Sequence, residues 1–161
     1  MYRPQFAYPT PPGCRDEDFV YYFDGSNTPM LNKDISAGLV IEHIPLVLQQ
    51  DAPFYWRGVK VDLRPGSGSG PTQPNISIRF RDCYQNDLMD NYIPATQWGF
   101  AMNPVKFNNG DYQGPPVPLE SEVYCPRGGV LEFFINSPVL ANPSYVFVSL
   151  FGVKRFKECS A

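Results

Sequence analysis

The chain has 161 residues, a mass of 18.2 kDa and a net charge of −3, with 13 Lys and Arg against 16 Asp and Glu. That length suits one domain, or one domain with an arm. No apolar run approaches the ~18 residues of a membrane-spanning helix, and no cluster of Lys and Arg makes a face that would coat a nucleic acid.

The 18 Pro and 13 Gly decide the fold class. They cut the chain into short pieces. The longest stretches without either residue are Asn75 to Ile93 and Cys14 to Asp24. Helices need about 11–12 residues without an interior breaker, whereas strands need about 5–6. The sequence therefore predicts an all-β chain.

Residues 1–18 combine Pro4, Pro9, Pro11, Pro12 and Gly13 with Tyr2, Phe6 and Tyr8. Repeated prolines favour an extended, polyproline-like arm. The aromatics give that arm something to bury, on its own domain or on a neighbouring chain. Asp16, Glu17 and Asp18 are expected to be solvated where the arm enters the first strand. Phe19 to Phe23 is aromatic and β-branched, and Asp24-Gly25 ends it as a turn. Gly38 to Gln49 reads as a long strand in which Pro45 lacks a ladder donor, which marks an edge or a bulge. Phe54 to Leu63 is a third strand, with Gly58 as a bulge residue.

Arg64 to Pro71 is a Gly-Ser loop. It lacks the Lys-Ser/Thr that grips phosphate and Mg²⁺, so phosphate binding is not expected. In Asn75 to Arg81, Ile76, Ile78 and Phe80 alternate with Ser77, Arg79 and Arg81, the pattern of a half-buried strand. Asp82 to Tyr92 has rough helical spacing that admits one or two helical turns, while Asn86, Asp87, Asp90 and Asn91 favour turns. Pro94 to Pro118 is a long irregular stretch holding Trp98, Phe100 and Phe107. Leu119 to Tyr124 and Gly129 to Asn136 are strands joined at Pro126-Arg127-Gly128. Ser144 to Lys157 is the most apolar strand and should lie centrally or under a partner, with Lys154, Arg155 and Lys157 leading out to solvent. About eight strands result, the pattern of an antiparallel β-sandwich of jelly-roll type. The division is an N-terminal arm, residues 1–18, and a sandwich domain, residues 19–161.

Reactive chemistry is sparse. Cys14, Cys83, Cys125 and Cys159 form no Cys-x-x-Cys pair, and His43 is the one histidine, so no zinc site is expected. The sequence opens without a basic stretch leading into an apolar run, so no secretory leader is expected and the cysteines are read as free thiols. No Gly-x-Ser-x-Gly elbow accompanies His43, which reads as structural. Glu120 and Glu122 share a strand face, which admits a glycosidase-like carboxylate pair or a solvated face. Asp87 and Asp90 with Asn86 and Asn91 do not match a calcium loop and are read as turn residues. Trp56, Trp98 and the tyrosines offer a sugar-stacking ledge as an alternative to core and subunit contacts. No cofactor is implied.

The aromatic-proline arm, the run of about eight strands, the segment Asp51-Ala52-Pro53-Phe54-Tyr55-Trp56-Arg57-Gly58 and the strand Phe147 to Phe156 together resemble the decoration, or cement, proteins of tailed-bacteriophage capsids. The resemblance is one of organisation over nearly the whole chain. It implies a jelly-roll-like sandwich with no catalytic activity. It also implies a place on the capsid exterior, made in the host cytoplasm, clamping neighbouring major capsid protein subunits, often as a dimer or trimer. Neither nucleic acid nor membrane is an expected partner. The residues expected to bind the partner are Tyr2, Arg3, Phe6 and Tyr8 in the arm, then Trp98 and Phe100 in the long loop. A carbohydrate-binding module, or a tail or adaptor protein in host recognition, is the alternative.

Overall fold

The structure is a computed structural model, and it describes residues 8–24, 40–65, 77–94, 116–137 and 144–158. Eight strands follow in order: β1 (Cys14–Asp24), β2 (Val40–Val47), β3 (Phe54–Pro65), β4 (Ser77–Arg81), β5 (Ile93–Pro94), β6 (Val117–Cys125), β7 (Val130–Ser137) and β8 (Ser144–Lys157). There is no helix among the described residues.

Two four-stranded antiparallel sheets result, with orders β1-β8-β3-β6 and β2-β7-β4-β5. The pairing has a simple rule. β1 pairs with β8, β2 with β7, β3 with β6 and β4 with β5. A long antiparallel ribbon, rolled so that β3 also meets β8 and β4 also meets β7, makes this arrangement. It is the jelly roll, and the fold class expected from the sequence is the one found.

Alternation along each strand fills the space between the sheets. Phe54, Trp56, Val59 and Val61 of β3, with Val148 and Leu150 of β8, face Ile44, Ile78, Phe80, Leu131, Phe133 and Ile135 from the other sheet. The ring centroids of Trp56 and Phe80 lie 5.3 Å apart, in edge contact across the core. The register of β3 shifts between Trp56 and Gly58, as the glycine suggested. Arg57 is the extra residue of that bulge. If β3 ran on regularly with Arg57 paired in the ladder, Gly58 and Lys60 rather than Val59 and Val61 would face the core. The bulge also satisfies the buried indole, whose Nε1 donates to the Gly58 carbonyl at 2.8 Å. Tyr21 reaches the core rim and its hydroxyl accepts the Gln49 N–H at 2.9 Å. β8 lies between β1 and β3, central as expected, and Pro45 lies on the edge strand β2.

One alternative is settled and three expectations are corrected. The segment from Asp82 onward is not helical. Asp82 Oδ1 accepts the N–H groups of Tyr84 and Asn86, each at 2.8 Å, so its side chain directs a turn in place of a helix. β1 starts at Cys14, so residues 14–18 belong to the sandwich and not to the arm. Asp16 in the acidic run is buried and not solvated, with its side chain 8% exposed. Lys154 and Arg155 do not lead out to solvent; their side chains are 4% and 10% exposed. In each charged case a partner from another element or loop makes burial tolerable, and such partners lie far away in sequence.

Candidate functional site

The outer face of the β1-β8-β3-β6 sheet carries a closed set of four charges. Arg155 on β8 donates to Asp16 on β1 from Nε at 2.7 Å and from Nη2 at 2.8 Å. Arg57, raised by the β3 bulge, donates to Glu122 on β6 at 2.6 Å and to Asp16 at 3.2 Å. Arg155 Nη1 lies 3.8 Å from Glu122 Oε1. Two guanidiniums and two carboxylates thus neutralise one another across all four strands. The hydrogen bonds from Arg155 hold the Asp16 carboxyl below the usual aspartate range. Asp16 is therefore a fixed carboxylate at neutral pH.

The end of the arm closes this cluster. The Tyr8 ring stacks on the Arg57 guanidinium, with 5.1 Å between the charge centre and the ring centroid, and its hydroxyl donates to the Leu119 carbonyl at 3.2 Å. Thr10 Oγ1 donates to Asp16 at 3.2 Å. Gly13, at φ 71°, then reverses the chain into β1. Arm residues from Tyr8 onward dock on their own domain, one of the two placements the sequence allowed.

The outer face of the other sheet is organised around Phe134. His43 stacks on it at 4.8 Å, nearly parallel, and shares a 2.6 Å hydrogen bond with Glu132. Arg79 and Arg81 approach the same ring at 5.0 and 4.9 Å. Arg81 also bonds Asp87 at 3.1 Å, which assigns that carboxylate to a strand-turn fastening. His43 is half exposed and has a structural role, with Ile44 taking the core position beside it.

Lys154 is the site that pattern reading missed. It lies on the core side of β8, where the register pairs it with Phe54. Its ammonium lies 3.9 Å from the Phe19 ring centroid and 2.7 Å from Asp51 Oδ2, and it donates to Gln49. A lysine next to an arginine reads locally as surface. Only the opposite directions of successive strand residues separate Lys154 from Arg155.

Several large apolar side chains are exposed among the described residues. Val47 and Val130 are cross-strand partners on β2 and β7, and both are exposed. Tyr84 follows β4 and Tyr124 lies near the end of β6; both are exposed beside the neighbouring cysteines Cys83 and Cys125. Val20 and Tyr22 stand exposed on β1. Side chains of this size gain most from being covered.

Of the residues expected to bind a partner, Tyr8 is docked as described, and Tyr2, Arg3, Phe6, Trp98 and Phe100 lie outside the described residues. Trp56 is fully buried and cannot form a sugar-stacking ledge. Glu122 is held by Arg57 and Arg155, while Glu120 is exposed. Cys14, Cys83 and Cys125 are free thiols. Among the described residues no three His, Cys, Asp or Glu side chains gather as a metal site. No known family model matches the chain, and no curated protein is detectably similar to it.

Proposed function

We propose that the chain is a non-enzymatic structural protein of a tailed-phage virion, which decorates the capsid exterior and clamps neighbouring major capsid protein subunits. On this reading it acts as a dimer or trimer. The observation that carries the reading is the contrast between two sets of side chains. The Asp16, Arg57, Glu122 and Arg155 cluster on the β1-β8-β3-β6 sheet is neutralised internally and covered by Tyr8. Val47, Tyr84, Tyr124 and Val130 leave large apolar groups open. Tyrosine is favoured at interface centres because it adds a large contact area and one hydrogen-bonding group.

The fold supports this reading without deciding it, since jelly rolls serve capsid proteins, lectins and cupins alike. The sugar-binding alternative loses Trp56 to the core. A direct test measures the rupture temperature of emptied phage capsids with and without the purified chain. Clamping predicts a rise that Tyr84→Ala with Tyr124→Ala reduces. An unchanged rupture temperature at saturating protein overturns the proposal.

A further inference from the structure

Cys125 closes β6, in one sheet, and Cys83 follows the end of β4, in the other. Cys125 belongs to the apolar core cluster and Cys83 packs against that cluster. The β6–β7 turn brings them together. Gly129 in that turn has no room for a side chain, because a Cβ there would lie 2.8 Å from Cys83 Sγ and 3.3 Å from Cys83 Cβ. Cys83 therefore lies against Gly129 at the far side of the turn that follows Cys125. The two thiols differ in access: Cys83 is partly exposed, and Cys125 is fully buried with its Sγ 3.7 Å from the Val123 carbonyl.

We propose that Cys83 and Cys125 are an oxidisable pair that forms a reversible disulfide between the two sheets, by exchange with a low-molecular-weight disulfide such as oxidised glutathione. Cys83 reacts first. Its thiolate attacks one sulfur of the glutathione disulfide, making a Cys83–glutathione bond and releasing one glutathione thiolate. Cys125 gives its proton to that thiolate, and its sulfur attacks Cys83 Sγ. The mixed bond breaks and releases the second glutathione, which takes a proton from water. Two protein thiols are oxidised and one glutathione disulfide is reduced to two thiols, with the Cys83 proton having gone to water. The order fits the environment, since the hydrogen bond with Cys125 favours the Cys83 thiolate, while the same bond and burial disfavour that of Cys125.

The inference stands independently of any role on a capsid. The reduced full-length chain is incubated in a glutathione redox buffer, alkylated with iodoacetamide, digested and analysed by mass spectrometry. The expected product links Cys83 to Cys125 and leaves Cys14 and Cys159 alkylated. Closing this loop is expected to raise Tm on the order of 10 °C, reversibly with dithiothreitol, and to have no such effect in Cys83→Ser. Glutathione retained on Cys83, a bond from either residue to Cys14 or Cys159, no oxidation of the pair, or linkage without a rise in Tm would each overturn it.

Discussion

Arg155 on the central strand β8 grips Asp16 on the edge strand β1 through two hydrogen bonds of 2.7 and 2.8 Å, with both side chains at least nine-tenths buried. A bidentate guanidinium–carboxylate pair fixes direction as well as distance. It adds a side-chain lock to a backbone ladder that runs from Cys14–Lys157 to Asp24–Phe147. Arg57 and Glu122 extend the lock to β3 and β6.

Removing Asp16 takes both short hydrogen bonds from the buried Arg155, leaving Glu122 at 3.8 Å, and one of two carboxylate partners from Arg57. Asp16→Ala should lower stability by about 3–5 kcal/mol, measured by urea unfolding of the full chain. Replacing the pair together, Asp16→Leu with Arg155→Met, should recover much of that loss. Equal stability of Asp16→Ala and the parent chain would show that the lock contributes nothing.

The same pair sets a pH dependence. The folded Asp16 carboxyl titrates below its unfolded value of about 3.9, so the unfolded chain takes up the proton first as pH falls. Its stabilisation is present above that value and disappears as pH drops through the lower, folded one. Asp51, beside Lys154, shifts in the same direction. Unfolding free energy should therefore fall below about pH 4, with a shallower slope in Asp16→Asn. An unchanged slope in that variant contradicts the assignment.

Gly152 on β8 has no space for a methyl group. A Cβ there would lie 2.1 Å from the Tyr55 carbonyl oxygen and 2.7 Å from Phe54 Cζ. Gly152→Ala should destabilise the chain by about 3 kcal/mol or more, because backbone cannot move aside as a side chain can. Calorimetry on this variant and on Gly13→Ala separates crowding from backbone freedom. At Gly13 there is open space and the difficulty is its φ of 71°.

Local pattern made most of the fold legible. Alternation placed Ile78 and Phe80 in the core, Pro45 marked an edge and Gly58 marked the bulge. Cross-strand chemistry was not legible in the same way. Asp16, Arg57, Glu122 and Arg155 are dispersed along the chain and meet only because the ribbon rolls up. The turn at Asp82 escapes local pattern for a related reason: its carboxylate competes with a helix by bonding the backbone after it. Trp56 illustrates a third limit, since an aromatic ring suits a core or a ligand ledge equally well until its neighbours are known.

Tyr8 tests whether the arm is fastened. Tyr8→Ala removes the ring over Arg57 and the bond to Leu119, and should lower stability by about 1–2 kcal/mol. Proteolysis within residues 8–13 should become faster, with the sandwich left intact. Unchanged cleavage would mean that Tyr8 does not hold the arm.

Co-sedimentation with assembled phage capsids that lack this chain tests the capsid role most directly. The full-length chain should pellet with the shells to a saturating, stoichiometric level, and Tyr84→Ala with Tyr124→Ala should bind more weakly. A variant lacking residues 1–7 keeps Tyr8 and the whole of β1, so it measures the contribution of the arm's first residues without disturbing the Asp16 lock. Full-length protein that stays in the supernatant at every concentration would contradict the account.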